Sequence, residues 1–310
     1  MFINLAAVPG WTLSTPTEHK YNTLAVIVSD NIKLMKFSKT RLLLICGLTL
    51  LFVSCNNNES TTAKISTDLV PTTPQINYSV TKEFPHDTSL FTEGLLFHNG
   101  ILYESTGSPD ELPFTKSLIV TDDLLTGKFD KKVELDKTKY FGEGIVFLDN
   151  KLYQLTYKNQ MGFIYDSKTF KQIGTFKYSN IEGWSLTTDG KSLIMSDGTD
   201  KVTFLNPKSL TLIKVLSISD NNSPLDNINE LEFIKGFIYA NVWLTNSIVK
   251  IDTSNGKVVG RLDLSSLVFE AKNKNPHADV LNGIAYDSVT DKIYVTGKLW
   301  ANVYEINFPH

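Results

Sequence analysis

YFGEGIVFLDNKLYQLTYKN, residues 140–159, is the stretch whose reading decides the fold. Ile145, Val146 and Phe147 form a short apolar run, Asp149 and Asn150 supply turn chemistry, and Leu152 to Thr156 alternates as a returning strand does. The segment reads as strand, turn, strand, with one acidic residue, Glu143, set before a glycine at its head.

The same outline recurs in FTEGLLFHNGILYESTG (91–107), IEGWSLTTDGKSLIMSDG (181–198), INELEFIKGFIYANVW (228–243) and LNGIAYDSVTDKIYVTGKLW (281–300). Aligned on the acid or amide and the residue after it, the copies place Glu93, Glu143, Glu182, Asn229 and Asn282 at one position. A further strand trails each copy, as in MGFIYDSKTFKQ and KVTFLNPKSLTL, and a fourth segment such as KQIGTFKY or VVGRLDL usually follows. Three to four strands repeating every 40–50 residues or so is the signature of β-propeller blades. The expected fold is therefore all-β, a five-bladed β-propeller. The fifth copy lacks an outermost strand, and YSVTKEF (78–84) is expected to supply it, closing the ring and removing an exposed sheet edge. Leu264 to Lys274 is the one place where a helical turn is expected, as an insertion before the fifth copy.

The chain has 310 residues, 42% hydrophobic and 20% charged, which is enough apolar surface for one large core. A net charge of −3 leaves no basic footprint for nucleic acid. Residues 1–34 show neither a sustained period nor a turn-delimited pattern and read as an upstream extension before Met35. From Met35 the chain runs MKFSKTRLLLICGLTLLFVSC, a basic head and an apolar core, so residues 35–55 read as a secretory signal, too short for an ordinary spanning helix. Cys55, after Ser54, resembles the lipidated cysteine of a bacterial lipobox, although Phe52 is off that pattern; a plain cleaved signal or a short membrane anchor are the alternatives. Polar residues then suggest a flexible linker over 56–76, followed by one domain over 77–310. Both cysteines, Cys46 and Cys55, lie in the leader, so disulfides contribute nothing to the exported domain. The expectation is a monomer in the periplasm or cell envelope, held to the membrane by a lipid anchor.

The first strand of each propeller blade lines the central channel, so the repeated polar position converges on the channel mouth. Carboxylates gathered there cannot all ionise cheaply, and at least one should have a raised pKa and be able to give and take a proton near neutrality. The structural alternative is that these side chains only bond backbone amides where blades meet. Phe91, Phe141, Tyr157, Trp184, Trp243 and Trp300 crowd the same end of the blades, as packing or as pocket walls. Lys298, after Gly297, is unusual as core filler and is expected to pair with a carboxylate or polarise a carbonyl. The five histidines are scattered with no HExxH or Cys/His spacing, and GxSxG and GxGxxG are missing, which disfavours zinc hydrolases, serine esterases and dinucleotide enzymes.

The ordered set FTEGL, LYESTG, FGEG, QLTYKN, EGWSL, NELE, NVW, NGIAYD and VTGKLW closely resembles the plant and bacterial type of glutaminyl-peptide cyclotransferase, over roughly Tyr78 to Phe308. The resemblance implies a five-bladed propeller that converts the N-terminal glutamine of peptides or proteins to pyroglutamate with release of ammonia. It implies Glu143 as catalytic acid and base, Lys298 and Asn229 as polar residues holding the substrate and the developing oxyanion, and Trp184, Trp243, Phe91 and Phe141 as walls and flanks. Two positions depart from the family pattern: Glu93 stands where glutamine is usual, and Tyr157 where tryptophan is usual. No metal is expected in catalysis, with a structural calcium allowed. Two rival readings are a calcium-dependent, lactonase-like propeller hydrolase using Glu143, Asn229 and Asn282, and a non-catalytic binding propeller on a lipid anchor.

Overall fold

The computed structural model describes residues 72–310. The upstream stretch 1–34, the signal segment 35–55 with Cys55, and the linker up to residue 71 lie outside the described residues.

The deciding segment forms the hairpin the sequence predicts: Gly142–Leu148 pairs with Lys151–Thr156, with Leu148 opposite Lys151. Asp149 and Asn150 close it with φ of 52° and 57°, the paired left-handed residues of a type I′ turn, which asparagine and aspartate tolerate best. Met161–Asp166 and Gln172–Lys177 complete the sheet outward. Four further four-stranded antiparallel sheets repeat this plan. Blade 1 begins at Thr92–His98, blade 3 at Leu186–Thr188, blade 4 at Ile228–Ile234 and blade 5 at Leu281–Asp287, and the segment just described is blade 2. These innermost strands touch one another in cyclic order, blade 5 returning to blade 1.

Ring closure follows the expectation. Ser79–Pro85 is the outermost strand of blade 5, antiparallel to Asn302–Asn307 with Ser79 opposite Asn307 and Pro85 opposite Asn302. Lys82, Glu83 and Pro85 on this outer strand discourage edge-to-edge pairing with another chain. The end of the expected linker is not free: Ile76 N–H donates to the Arg261 carbonyl at 2.7 Å, and Gln75 bridges Arg261 in parallel. Ser265–Lys274 is the one helix among the described residues, between blades 4 and 5, and it buries Leu267, Val268 and Ala271 in the layer there.

Alternation along the strands sends apolar side chains into layers between neighbouring blades. Leu152, Ile119 and Phe147 fill the layer between blades 1 and 2, Leu155 and Met195 that between 2 and 3, and Val249 and Ile194 that between 3 and 4. Truncating one such Leu to Ala costs about 2–5 kcal/mol. These layers hold the inner strands at fixed spacing, and that spacing builds the site.

Candidate active site

Strand register decides which residues share the position facing the axis. Leu95 lies opposite Glu104, Ile145 opposite Gln154, Leu186 opposite Met195, Leu231 opposite Ala240 and Ile284 opposite Val295. Two residues upstream of these stand Glu93, Glu143, Trp184, Asn229 and Asn282. The expectation for Glu182 is thereby corrected: in blade 3 the Glu-Gly pair comes two residues early, ahead of the strand, and Trp184 takes the axial place. Glu182 instead accepts the Trp184 indole N–H at 2.9 Å, with Lys158 at 3.8 Å. In blades 1 and 2 the residue after the axial one must be small, because the neighbouring inner strands there meet backbone to backbone. A Cβ on Gly144 would lie 2.5 Å from the Ser185 Cα, nearer than real contacts allow.

Second strands reach across to fix these backbones. Ser105 of blade 1 donates its hydroxyl to the Glu143 carbonyl at 2.5 Å and is itself held by Gln154 at 3.2 Å, which accepts from the Tyr165 hydroxyl at 3.0 Å. Gly144 N–H donates to the Trp184 carbonyl at 3.0 Å. Ser196 repeats the device for blade 4, donating to the Asn229 carbonyl at 2.7 Å. Deeper in the channel, the Glu230 carboxyl accepts from Leu95 N–H at 3.2 Å and Ile284 N–H at 2.9 Å, joining blades 1, 4 and 5. Glu230 and Asn241, which accepts from Gly283 N–H at 3.0 Å, are ring-holding residues that the repeat pattern did not single out. Their partners are distant in sequence.

The channel mouth opens into a cleft of about 960 Å³ lined by Phe91, Glu93, Phe141, Glu143, Tyr157, Trp184, Asn229, Trp243 and Lys298. The residues that the family resemblance assigns to the pocket are there, with Glu93 and Tyr157, whereas Glu182, Asn282 and Trp300 are not among the lining residues. The rim adds Ser108 to Glu111 and Lys137 to Tyr140, loop residues that repeats could not reveal. Trp184 and Trp243 meet edge to face at 5.5 Å, and Phe141 stands between Phe91 at 6.4 Å and Tyr157 at 5.7 Å. Gly198, at φ +79°, supports Trp184: a Cβ there would lie 2.4 Å from the indole. Trp300, by contrast, is fully buried and donates its indole N–H to the Asp279 carbonyl, so it is packing.

Two buried carboxyls share this mouth in different states. Glu93 holds the Lys298 ammonium with both oxygens at 2.7 Å, and that ammonium also lies 4.5 Å over the Phe91 ring. Burial raises the Glu93 pKa and Lys298 pulls it back, leaving it at about 6. Glu143 is 4% exposed, and among the described residues no hydrogen bond engages its carboxyl. Burial first, and then the Glu93 charge, push Glu143 well above the usual carboxylate range despite Lys298. Asn229 lines the same cleft, and its side-chain oxygen is buried without a partner among the described residues. Asn282, one of the set read as calcium ligands, donates to the Thr92 carbonyl at 2.9 Å and to Glu93 at 3.4 Å.

The model of the family described as "Glutamine cyclotransferase" matches residues 48–308. The chain belongs to the glutamine cyclotransferase family. The glutaminyl-peptide cyclotransferase of Arabidopsis thaliana is 37% identical over 267 residues, 86% of this chain and 81% of that protein. The crystal structure of Myxococcus xanthus glutaminyl cyclase superposes with a TM-score of 0.68 at 32% identity, covering 77% of this chain and 98% of that one. As a glutamine cyclotransferase, the chain is an enzyme on a five-bladed propeller, and both rival readings from the sequence give way.

Proposed function

We propose that the enzyme cyclises N-terminal glutamine of peptides and proteins to pyroglutamate, with Glu143 as the single proton carrier. The observation that carries this reading is the contrast at the mouth: one buried carboxyl is tied to a lysine, while the other faces the cleft unbonded with a raised pKa.

A glutamine N-terminus arrives with a protonated α-amine, which is no nucleophile. Ionised Glu143 accepts one proton from it. The freed nitrogen attacks the side-chain amide carbon, to which the substrate's own chain already tethers it, so selecting the folded-back conformer does much of the work. A nitrogen–carbon bond forms and the carbonyl electrons move to oxygen. Glu143 returns its proton to the departing nitrogen as the oxyanion electrons re-form the carbonyl, the old carbon–nitrogen bond breaks and ammonia leaves; the ring nitrogen passes its remaining extra proton to the freed Glu143 carboxylate, which releases it to the ammonia as ammonium. Lys298 is taken up by Glu93 and Phe91, so the donor to the oxyanion falls chiefly to the Asn229 amide, with Lys298 supplying positive charge nearby. The aromatic walls exclude water, which favours attack by the amine over hydrolysis and strengthens each polar contact.

The test is Glu143→Gln, expected to lower kcat by about two orders of magnitude or more with the fold intact, the usual scale for an acid/base group. Catalysis on this reading needs no metal, so exhaustive chelation leaves turnover unchanged. The leader carries the rest of the proposal: export and lipidation at Cys55, supported by the basic head, apolar core and Ser54-Cys55 junction, and tested by metabolic labelling with a fatty acid in wild type and Cys55→Ser.

A further inference from the structure

Away from the cleft, His86, Glu104 and Asp122 meet where the ring is closed. His86 follows the closing strand Ser79–Pro85 of blade 5, Glu104 lies on Ile101–Thr106 of blade 1, and Asp122 lies on the next strand, Leu118–Asp123. One donor atom from each falls within 4.8 Å of the others. His86 Nδ1 stands 2.8 Å from the Trp300 carbonyl, a contact only a protonated Nδ1 can make, and Nε2 then points at Glu104 Oε2, also at 2.8 Å. Glu104 Oε1 and Asp122 Oδ2 are buried without a partner among the described residues. Glu104 is 0% exposed and His86 8%.

The cluster sets one imidazole against two carboxyls and leaves two buried oxygens unanswered among the described residues. We propose that His86 Nε2, Glu104 and Asp122 bind a divalent cation of the zinc or manganese class as a structural clasp between blade 5 and blade 1. The donor set of one nitrogen and carboxylate oxygens favours that class over calcium, which takes oxygen alone. The His86 Nδ1 contact to a backbone carbonyl is the outer-shell bond that ligating histidines make to fix their tautomer. Ligand atoms around zinc lie roughly 3.3–3.5 Å apart at bond lengths of about 2.0–2.1 Å, so taking up the cation parts His86 Nε2 and Glu104 Oε2 from their 2.8 Å contact and draws the three donors, now within 4.8 Å of one another, around it. The cation ties His86, which follows the closing strand and bonds the Trp300 carbonyl of blade 5, to the second and third strands of blade 1. The site needs no part of the cyclase chemistry.

The test is to unfold the full-length protein and refold it with chelator, ZnCl2 or MnCl2, with thermal unfolding followed in the same buffer and elemental analysis done on a desalted portion. The clasp predicts one retained equivalent of one of these metals and a Tm higher by roughly 5–10 °C when free metal is about 100-fold above Kd. Asp122→Asn keeps the shape and removes a ligand, so it should fold yet lose both the equivalent and the shift; His86→Gln should do the same. Failure of wild type to retain either metal, with no change in Tm, overturns the proposal, as does an unchanged metal response in Asp122→Asn. A higher metal-free Tm in Asp122→Asn without any response in wild type overturns it in favour of a proton held between Asp122 and Glu104.

Discussion

Replacing Glu93 by glutamine removes one charge from beside Glu143 and releases Lys298 from its ion pair, and both changes favour the ionised form of Glu143. Because Gly94 and Gly144 touch, a Cβ on the first lying 3.0 Å from the Cα of the second, the carboxyls one residue upstream leave neighbouring backbones. Facing side chains on such strands hold their charges on the order of 5–8 Å apart. Two unit charges at that separation repel by about 2–3 kcal/mol at an effective dielectric near 20. Lys298, bound to both Glu93 oxygens, cancels part of this, leaving about 1–2 kcal/mol, or roughly one pH unit at Glu143. Glu143 must be ionised in the free enzyme to accept the ammonium proton. The acid limb of kcat/KM therefore moves about one unit to lower pH in Glu93→Gln, while the plateau is changed little. At a pH on that limb the variant is several-fold more active than wild type, relative to each plateau. Ammonia release from a glutaminyl peptide, followed from pH 5 to 9, reads the effect. Superposed limbs, or a shift to higher pH in the variant, would refute the electrostatic coupling of the two acids.

Other consequences follow from the same channel. Burial raises the Glu232 pKa from 4.5 to about 8, with Tyr286 N–H at 2.9 Å and the Thr187 hydroxyl at 3.3 Å opposing the rise. A folded pKa above the unfolded one gives stability that is full below about pH 4.5 and lost as pH rises through 8. Glu232→Gln should thus gain on wild type by a few kcal/mol, at most about 5, between pH 5 and 8.5 in urea unfolding; a constant difference across that window contradicts the buried-acid assignment. Gly198→Ala forces a side chain at φ +79° and against the Trp184 ring, so kcat/KM should fall about tenfold and Tm by roughly 2–4 °C, whereas unchanged kinetics would show that Trp184 is not a wall that matters.

Much of this architecture is written in local pattern. A hairpin with a left-handed turn at Asp149 and Asn150 can be recognised from its own residues, and its recurrence supplies the ring; the missing fifth outer strand points to the segment before blade 1. Alignment by residue type failed in blade 3, because similar letters, Glu182 and Gly183, fall before the strand, and only pairing shows that Trp184 faces the axis. Lys298 was legible as an oddity, and its partner Glu93 became definite only through a contact between neighbouring blades 5 and 1, 205 residues apart in sequence. Glu230, Asn241 and the His86, Glu104 and Asp122 group were illegible for the same reason: each owes its meaning to a neighbour in another blade, and no local period records that neighbour.

The central claim is that one unbonded, buried carboxyl moves the proton in both directions. Mass spectrometry of a peptide with N-terminal glutamine, incubated with wild type or Glu143→Gln after chelation, tests it most directly. The account predicts steady loss of one ammonia with wild type and about a hundredfold less or lower with the variant, both proteins unfolding at similar temperatures. Near-normal ammonia loss by the Glu143→Gln enzyme would contradict it.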